Sequence, residues 1–170
     1  MKVTHIFSKS SRQHVVRFTD FIVNFIAVDS KIEHQIIIQP ERKSDCYAEL
    51  PESDVKITIN SSVTDILATI DQASCSHFVI FHGLYDRKLI NRLVFHSSKL
   101  KFVAWFIWGA DLYAYPKKRI KRLVNSFCRK FVFPRIGVKV GIPGDYKALK
   151  DTYGCKRMNF MRSYFQPGFI

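Results

Sequence analysis

Short apolar runs rich in β-branched and aromatic residues alternate along this chain with stretches whose apolar residues recur at helical spacing. That alternation restricts the fold more than any other feature, because strand and helix taking turns leads to a parallel sheet with helices packed on it. Residues 3–7, 34–38, 55–59, 77–81, 101–107 and 135–142 read as strands. Ser10 or Ser11 caps a helix beginning near Arg12, in which Val15, Phe18, Ile22, Phe25 and Ile26 share a face. Ser62 and Asp65 form a capping box ahead of Val63, Ile66, Leu67 and Ile70. A helix over 86–96 turns Leu89, Ile90, Leu93 and Val94 inward. Pro116 opens the next helix, where its missing N–H costs nothing. Pro143, Gly144 and Asp145 open the last, which ends at Gly154, and the polar residues 40–54 read as a loop. The expected fold is α/β: a Rossmann-like parallel sheet with helices on both faces, in a single domain over residues 1–170.

In such sheets ligands bind beyond the carboxyl ends of the strands. The loops over residues 8–12, 82–85, 108–113 and 141–145 then share one edge, which contains the chain's most distinctive run, Trp105-Phe106-Ile107-Trp108-Gly109-Ala110-Asp111-Leu112-Tyr113. Asp111 is either a carboxylate that accepts a proton from a sugar hydroxyl or a turn and helix-capping residue. His82, beside Gly83 at a strand end, is either a base or phosphate ligand or a hydrogen-bonded structural histidine. Trp105 and Trp108 are three residues apart, so a strand sends them to opposite faces. Trp108, nearer the edge, is the one expected on the ligand side and Trp105 in the core. Gly109 lets backbone approach a ligand closely. Asp145 caps the last helix, whose N-terminus also suits a phosphate, with Arg157 and Arg162 as further phosphate candidates.

Charge is distributed unevenly. Residues 1–85 carry 8 Lys/Arg against 10 Asp/Glu, whereas residues 86–170 carry 19 against 4. A partner bearing phosphates, or an anionic membrane surface, is implied. The centre of this excess is 117–135, with Lys117, Lys118, Arg119, Lys121, Arg122, Arg129, Lys130 and Arg135 and no acidic residue. Ile120, Leu123, Val124, Phe127 and Phe131 fall on one face of it. That face packs on the sheet with its charges solvated, or lies on anionic lipid at about 1 kcal/mol per basic residue, or the helix follows a nucleic-acid backbone. No apolar run is long enough to span a bilayer, and the N-terminus lacks a signal-peptide core, so the expected location is the cytoplasm. Cys46, Cys75, Cys128 and Cys155 are scattered, with no C-x-x-C pair, and are expected to be reduced and mostly buried. No metal site is expected.

Phe81-His82-Gly83, then Trp105-x-Ile107-Trp108-Gly109-Ala110-Asp111-Leu112-Tyr113, the basic helix, Gly144-Asp145 and Tyr164-Phe165 follow one another in this order. From about residue 77 to 165 the series resembles the N-terminal part of the TDP-Fuc4NAc:lipid II Fuc4NAc transferase family, which is 4-alpha-L-fucosyltransferase-like (glycosyltransferase family 56). The resemblance implies the N-terminal, acceptor-side domain of a GT-B glycosyltransferase, with Asp111 or His82 as base and Gly83, Trp108, Gly109, Tyr113 and Asp145 on the ligand side. It implies an undecaprenyl-pyrophosphate-linked saccharide as acceptor, a TDP-sugar donor held mainly by a second domain, and peripheral attachment at the cytoplasmic face of the inner membrane. Enterobacterial common antigen glycolipid is the type of product. Neither metal nor cofactor is called for, and no nucleic acid. Two departures matter. With the chain ending at Ile170, the donor-binding domain is expected to be absent, leaving a truncated form with little activity alone or one that pairs with a separate donor-domain chain. Phe106 stands where the resemblance expects a histidine, so that residue's role does not carry over. The rival reading is a non-enzymatic basic module that binds nucleic acid or an anionic membrane.

Overall fold

The computed structural model describes residues 1–28, 31–42, 45–113 and 119–160. Among these residues seven strands, β1 (Lys2–Ser8), β2 (Glu33–Gln39), β3 (Lys56–Ile59), β4 (His77–Leu84), β5 (Val103–Phe106), β6 (Val138–Gly141) and β7 (Asn159–Phe160), form one sheet in the order β3-β2-β1-β4-β5-β6-β7. Every pair in it is parallel. The chain works outward from β1 in one direction, returns, and works outward from β4 in the other. This is the doubly wound topology, with its switch point between β1 and β4.

Among the described residues the α-helices are α1 (Arg12–Phe21), α2 (Val63–Asp71), α3 (Arg87–Leu93), α4 (Ala110–Tyr113), α5 (Arg119–Arg135) and α6 (Pro143–Tyr153). They divide unequally. On one face α1 and the π-helical turn Ile22–Ile26 that extends it pack on Phe7, Ile36 and Ile38 through Val15, Ile22 and Val23. On the other, α2, α3, α5 and α6 cover Ile6, Val79, Phe81, Val103 and Trp105. Local chemistry sets the ends. Ser62 and Asp65 exchange the two hydrogen bonds of a capping box at α2, and Asp86 Oδ1 accepts the Lys88 and Leu89 N–H groups at α3. Gly154, at φ 70°, stops α6.

Several boundaries move. Lys101 and Phe102 lie in a 3₁₀ turn ahead of β5, and Arg135 is the last residue of α5 rather than the start of β6. Pro116 lies outside the described residues. Of the four free cysteines, Cys128 and Cys155 are buried while Cys46 and Cys75 are exposed, so the expectation of mostly buried thiols holds for two.

Candidate functional site at the carboxyl edge of the sheet

β4 bends where the site begins. Between the pairs Ile6–Phe81 and Ser8–Leu84 it carries one residue more than β1, a bulge at His82 and Gly83. Gly83 sits at φ +81°, and a Cβ on it would lie 2.3 Å from Tyr85 Cε2 and 3.1 Å from Trp108 Cδ1. Glycine is required here so that the Tyr85 and Trp108 rings can close over the backbone. Gly109, at φ +74°, turns the chain from β5 into α4. The Asp145 carboxylate lies beside it, with Oδ1 3.9 Å from where a Gly109 Cβ would be and Oδ2 3.3 Å from the same point on Gly141. Asp145 is 5% exposed and accepts the Ile142 N–H at 3.4 Å, and burial raises its pKa. His82, Gly83, Trp108, Gly109 and Asp145 therefore share the edge. Tyr113 ends α4.

Asp111 lies beneath this edge. It is fully buried, and three N–H groups point at it: Leu84 N at 2.9 Å and Trp105 Nε1 at 2.7 Å reach Oδ2, and Trp108 N at 3.1 Å reaches Oδ1. Burial raises its pKa while these donors pull the other way. One carboxylate thus ties the end of β4, the middle of β5 and the β5–α4 turn together. In this arrangement both oxygens are engaged and neither reaches the surface. Trp105 packs in the core against Phe133, with centroids 4.4 Å apart, while Trp108, two residues past the end of β5, is half-buried at the edge.

His82 belongs to a row of rings under α1. His34 Nδ1 and His5 Nε2 are 3.1 Å apart, and His5 Nδ1 and His82 Nε2 are 3.0 Å apart. The His82 ring stacks between Phe7 and Phe106, at 4.6 and 5.4 Å. Phe106 thus fills the next rung of the row, at the position where a histidine was expected. Burial, then the neighbouring His34, lowers the His5 pKa to about 3; burial, then His5 and His14, holds His82 well below its ordinary value. Both rings are neutral at pH 7. His82 Nδ1 is buried with no hydrogen-bond partner among the described residues. The three histidines run side by side and do not converge, and among the described residues no group of three His, Cys, Asp or Glu gathers as a metal site would.

Two parts of the edge escape sequence reasoning. His14 of α1 meets Trp108 edge-on at 4.2 Å and stacks on Phe18 at 5.3 Å. It is half-buried, and its pKa is lowered by burial and then by Arg17. His14 Nε2 and Trp108 Nε1 are both buried without a partner among the described residues. Beside them Ser8 Oγ donates to Gln39 Oε1 at 3.0 Å, Gln39 Nε2 donates to Asp86 Oδ2 at 2.8 Å, and Lys9 Nζ stands 3.5 Å from the same oxygen. Ser8 and Gln39 end β1 and β2, Lys9 and Asp86 follow β1 and β4, and that place at the strand ends was the available signal.

The basic helix is placed as expected but faces otherwise. Arg119, Lys121, Arg122 and Lys130 are exposed on α5, as are Ile120, Leu123, Val124 and Phe127. Of the five-residue apolar stripe only Phe131 packs against the core, half-buried, and the other four do not. Asn125, Cys128, Arg129, Val132 and Phe133 do. Arg129, expected at the surface, is fully buried and donates to Leu112 O at 2.8 Å, which removes it from any membrane or phosphate contact in this structure. Lys117, Lys118, Arg162, Tyr164 and Phe165 lie outside the described residues. Among those described, no helix is long and apolar enough to cross a membrane.

The family model described as 4-alpha-L-fucosyltransferase, glycosyl transferase group 56, matches residues 1–167. No curated protein and no solved structure matches the chain.

Proposed function

The chain belongs to the 4-alpha-L-fucosyltransferase family, glycosyl transferase group 56, and from that premise we propose that it is the acceptor-side half of a lipid-directed glycosyltransferase. The donor is TDP-Fuc4NAc, held mainly by a second domain in this or a separate polypeptide. The acceptor is an undecaprenyl-pyrophosphate-linked saccharide of the enterobacterial common antigen type. The protein works as a peripheral protein at the cytoplasmic face of the inner membrane.

The observation that carries this reading is the edge itself. Two positive-φ glycines, an aromatic wall of Trp108 and His14, and the Asp145 carboxylate gather where the strands end, at the position where doubly wound sheets take ligands. In glycosyl transfer the acceptor oxygen forms a bond to the anomeric carbon, the bond to the nucleotide diphosphate breaks, and the hydroxyl proton passes to a base. Asp111 acts by holding the β4 and β5 ends in register, since its oxygens are occupied. Among the imidazoles near the edge, His14 is the one that keeps surface, and its lowered pKa leaves it in the proton-accepting form at neutral pH. His82 supports it from below through Phe18, whose ring lies 5.4 Å from that of His82.

The test is transfer from TDP-Fuc4NAc to a short-chain lipid II analogue, by the chain alone and mixed with a separately expressed donor domain of a full-length relative. The expected result is transfer that requires the mixture, with His14→Ala lowering kcat more than His82→Ala does. Absence of both transfer and acceptor binding would sink the proposal.

A further inference from the structure

The outward stripe of α5 has no packing partner among the described residues, although its residues are of the kind a core takes up. Ile120 is 77% exposed, Leu123 65%, Val124 50% and Phe127 68%. They fall at i, i+3, i+4 and i+7, so they form one continuous ridge along two turns. Cations flank the ridge on both sides: Lys121 and Arg135 on one, Arg119 and Lys130 on the other, with Arg122 next to them. The helix carries no acidic residue. Arg119, Arg122, Leu123 and Ser126 line an open depression of about 550 Å³ at the side of the ridge, where two guanidinium groups stand next to an apolar side chain.

We infer that this face of α5 is a membrane-docking surface, with Ile120, Leu123, Val124 and Phe127 set into the boundary between headgroups and acyl chains and the flanking Lys and Arg side chains on lipid phosphates. Charge selects the occupant. A second copy of the chain, at net +13, would set cations against cations. An anionic bilayer supplies an apolar layer and a negative surface in the order the helix presents them. Position supports the same assignment. α5 follows the β5–α4 turn, so the ridge, over residues 120–127, occupies the half of the helix nearer the carboxyl edge of the sheet. Docking there holds the edge against the surface on which a lipid-linked acceptor lies. The inference deepens the membrane side of the proposed function. Its test reads binding alone, so its failure leaves transfer to a soluble acceptor standing.

The experiment is co-sedimentation of the full chain with vesicles of phosphatidylcholine alone or of equal parts phosphatidylcholine and phosphatidylglycerol, at low and high salt. It uses the wild type, Leu123→Glu/Phe127→Glu and Arg119→Ala/Arg122→Ala. Wild type is expected to bind the anionic vesicles and not the neutral ones. The apolar-to-acidic pair should weaken binding about tenfold or more, and the arginine pair should remove much of its salt dependence. Circular dichroism and Tm should be unchanged in both, because all four positions are exposed. The inference is overturned if wild type ignores anionic vesicles at low salt, or if Leu123→Glu/Phe127→Glu binds like wild type with its fold intact. It is overturned equally if sedimentation equilibrium shows a dimer that the same pair dissolves, which would make the ridge an interface between copies, or if binding to duplex DNA exceeds binding to the vesicles.

Discussion

Two stripes run along α5 at the same helical spacing. Asn125, Cys128, Arg129 and Val132 face the sheet, and Ile120, Leu123, Val124 and Phe127 face away from it. The inward stripe is the more polar, yet it is the one the fold buries, and its polar members have named acceptors. Arg129 donates to Leu112 O and lies 5.5 Å from the Phe133 ring centroid, and Asn125 Nδ2 donates to Asn91 Oδ1 at 3.1 Å. A buried charge is tolerable only when hydrogen-bonded, and one so bonded fixes how the helix is turned. The outward stripe has no packing partner among the described residues. Burial on this helix therefore follows the availability of partners rather than hydropathy.

The largest break in this comparison is expected from the inward stripe. Arg129→Ala removes the donor to Leu112 O and leaves a cavity, and should cost about 3–4 kcal/mol in denaturant unfolding. A loss below about 0.5 kcal/mol would mean that Arg129 does not set the helix's facing. Asp111→Asn comes next. It puts an amide N–H₂ where N–H donors now point, and should cost about 2–3 kcal/mol, with transfer falling in step with stability. Activity lost at unchanged Tm would instead restore a base role to Asp111.

Acidification should sharpen the contrast between the buried charge on α5 and the buried neutral histidines on the opposite face. In the unfolded chain a histidine takes up a proton near its ordinary pKa of 6.5, whereas folded His5 waits until about 3 and His82 is held down as well. Between those values the unfolded state binds more protons. Stability is therefore complete above about pH 6.5 and falls below it, by about 1.4 kcal/mol per pH unit for each such ring. Urea titrations from pH 8 to 5 check this, and His5→Phe should flatten the slope. The smallest effect belongs to the outward stripe. Leu123→Glu and Phe127→Glu should each change stability by no more than about 0.5 kcal/mol, measured by thermal unfolding in the absence of lipid.

Much of the architecture was legible in the sequence because strands buried on both faces must read as continuous apolar runs. Strand parity separated Trp105 from Trp108, and the place of Trp108 nearer the strand's end marked it as the ring on the ligand side. The facing of α5 was not legible, since two stripes share one period and the choice between them rests on Leu112 O and Asn91, which are distant in sequence. The histidine row was hidden for the same reason. His5, His34 and His82 sit on three strands and meet only through the register that makes each a diagonal neighbour of the next. His14 carried no local signal, since its importance comes from the Trp108 ring that the β5–α4 turn brings against it.

In the proposed function the sheet edge takes part in transfer, and in the inference drawn from α5 its outward stripe holds that edge at the membrane. The most direct measurement compares transfer to a long-chain acceptor embedded in anionic vesicles with transfer to a short-chain acceptor in solution, for wild type and Leu123→Glu/Phe127→Glu, each with the donor domain present. The expected result is a loss of about tenfold or more on vesicles and an unchanged rate in solution. An equal loss on both acceptors, or on neither, would contradict it.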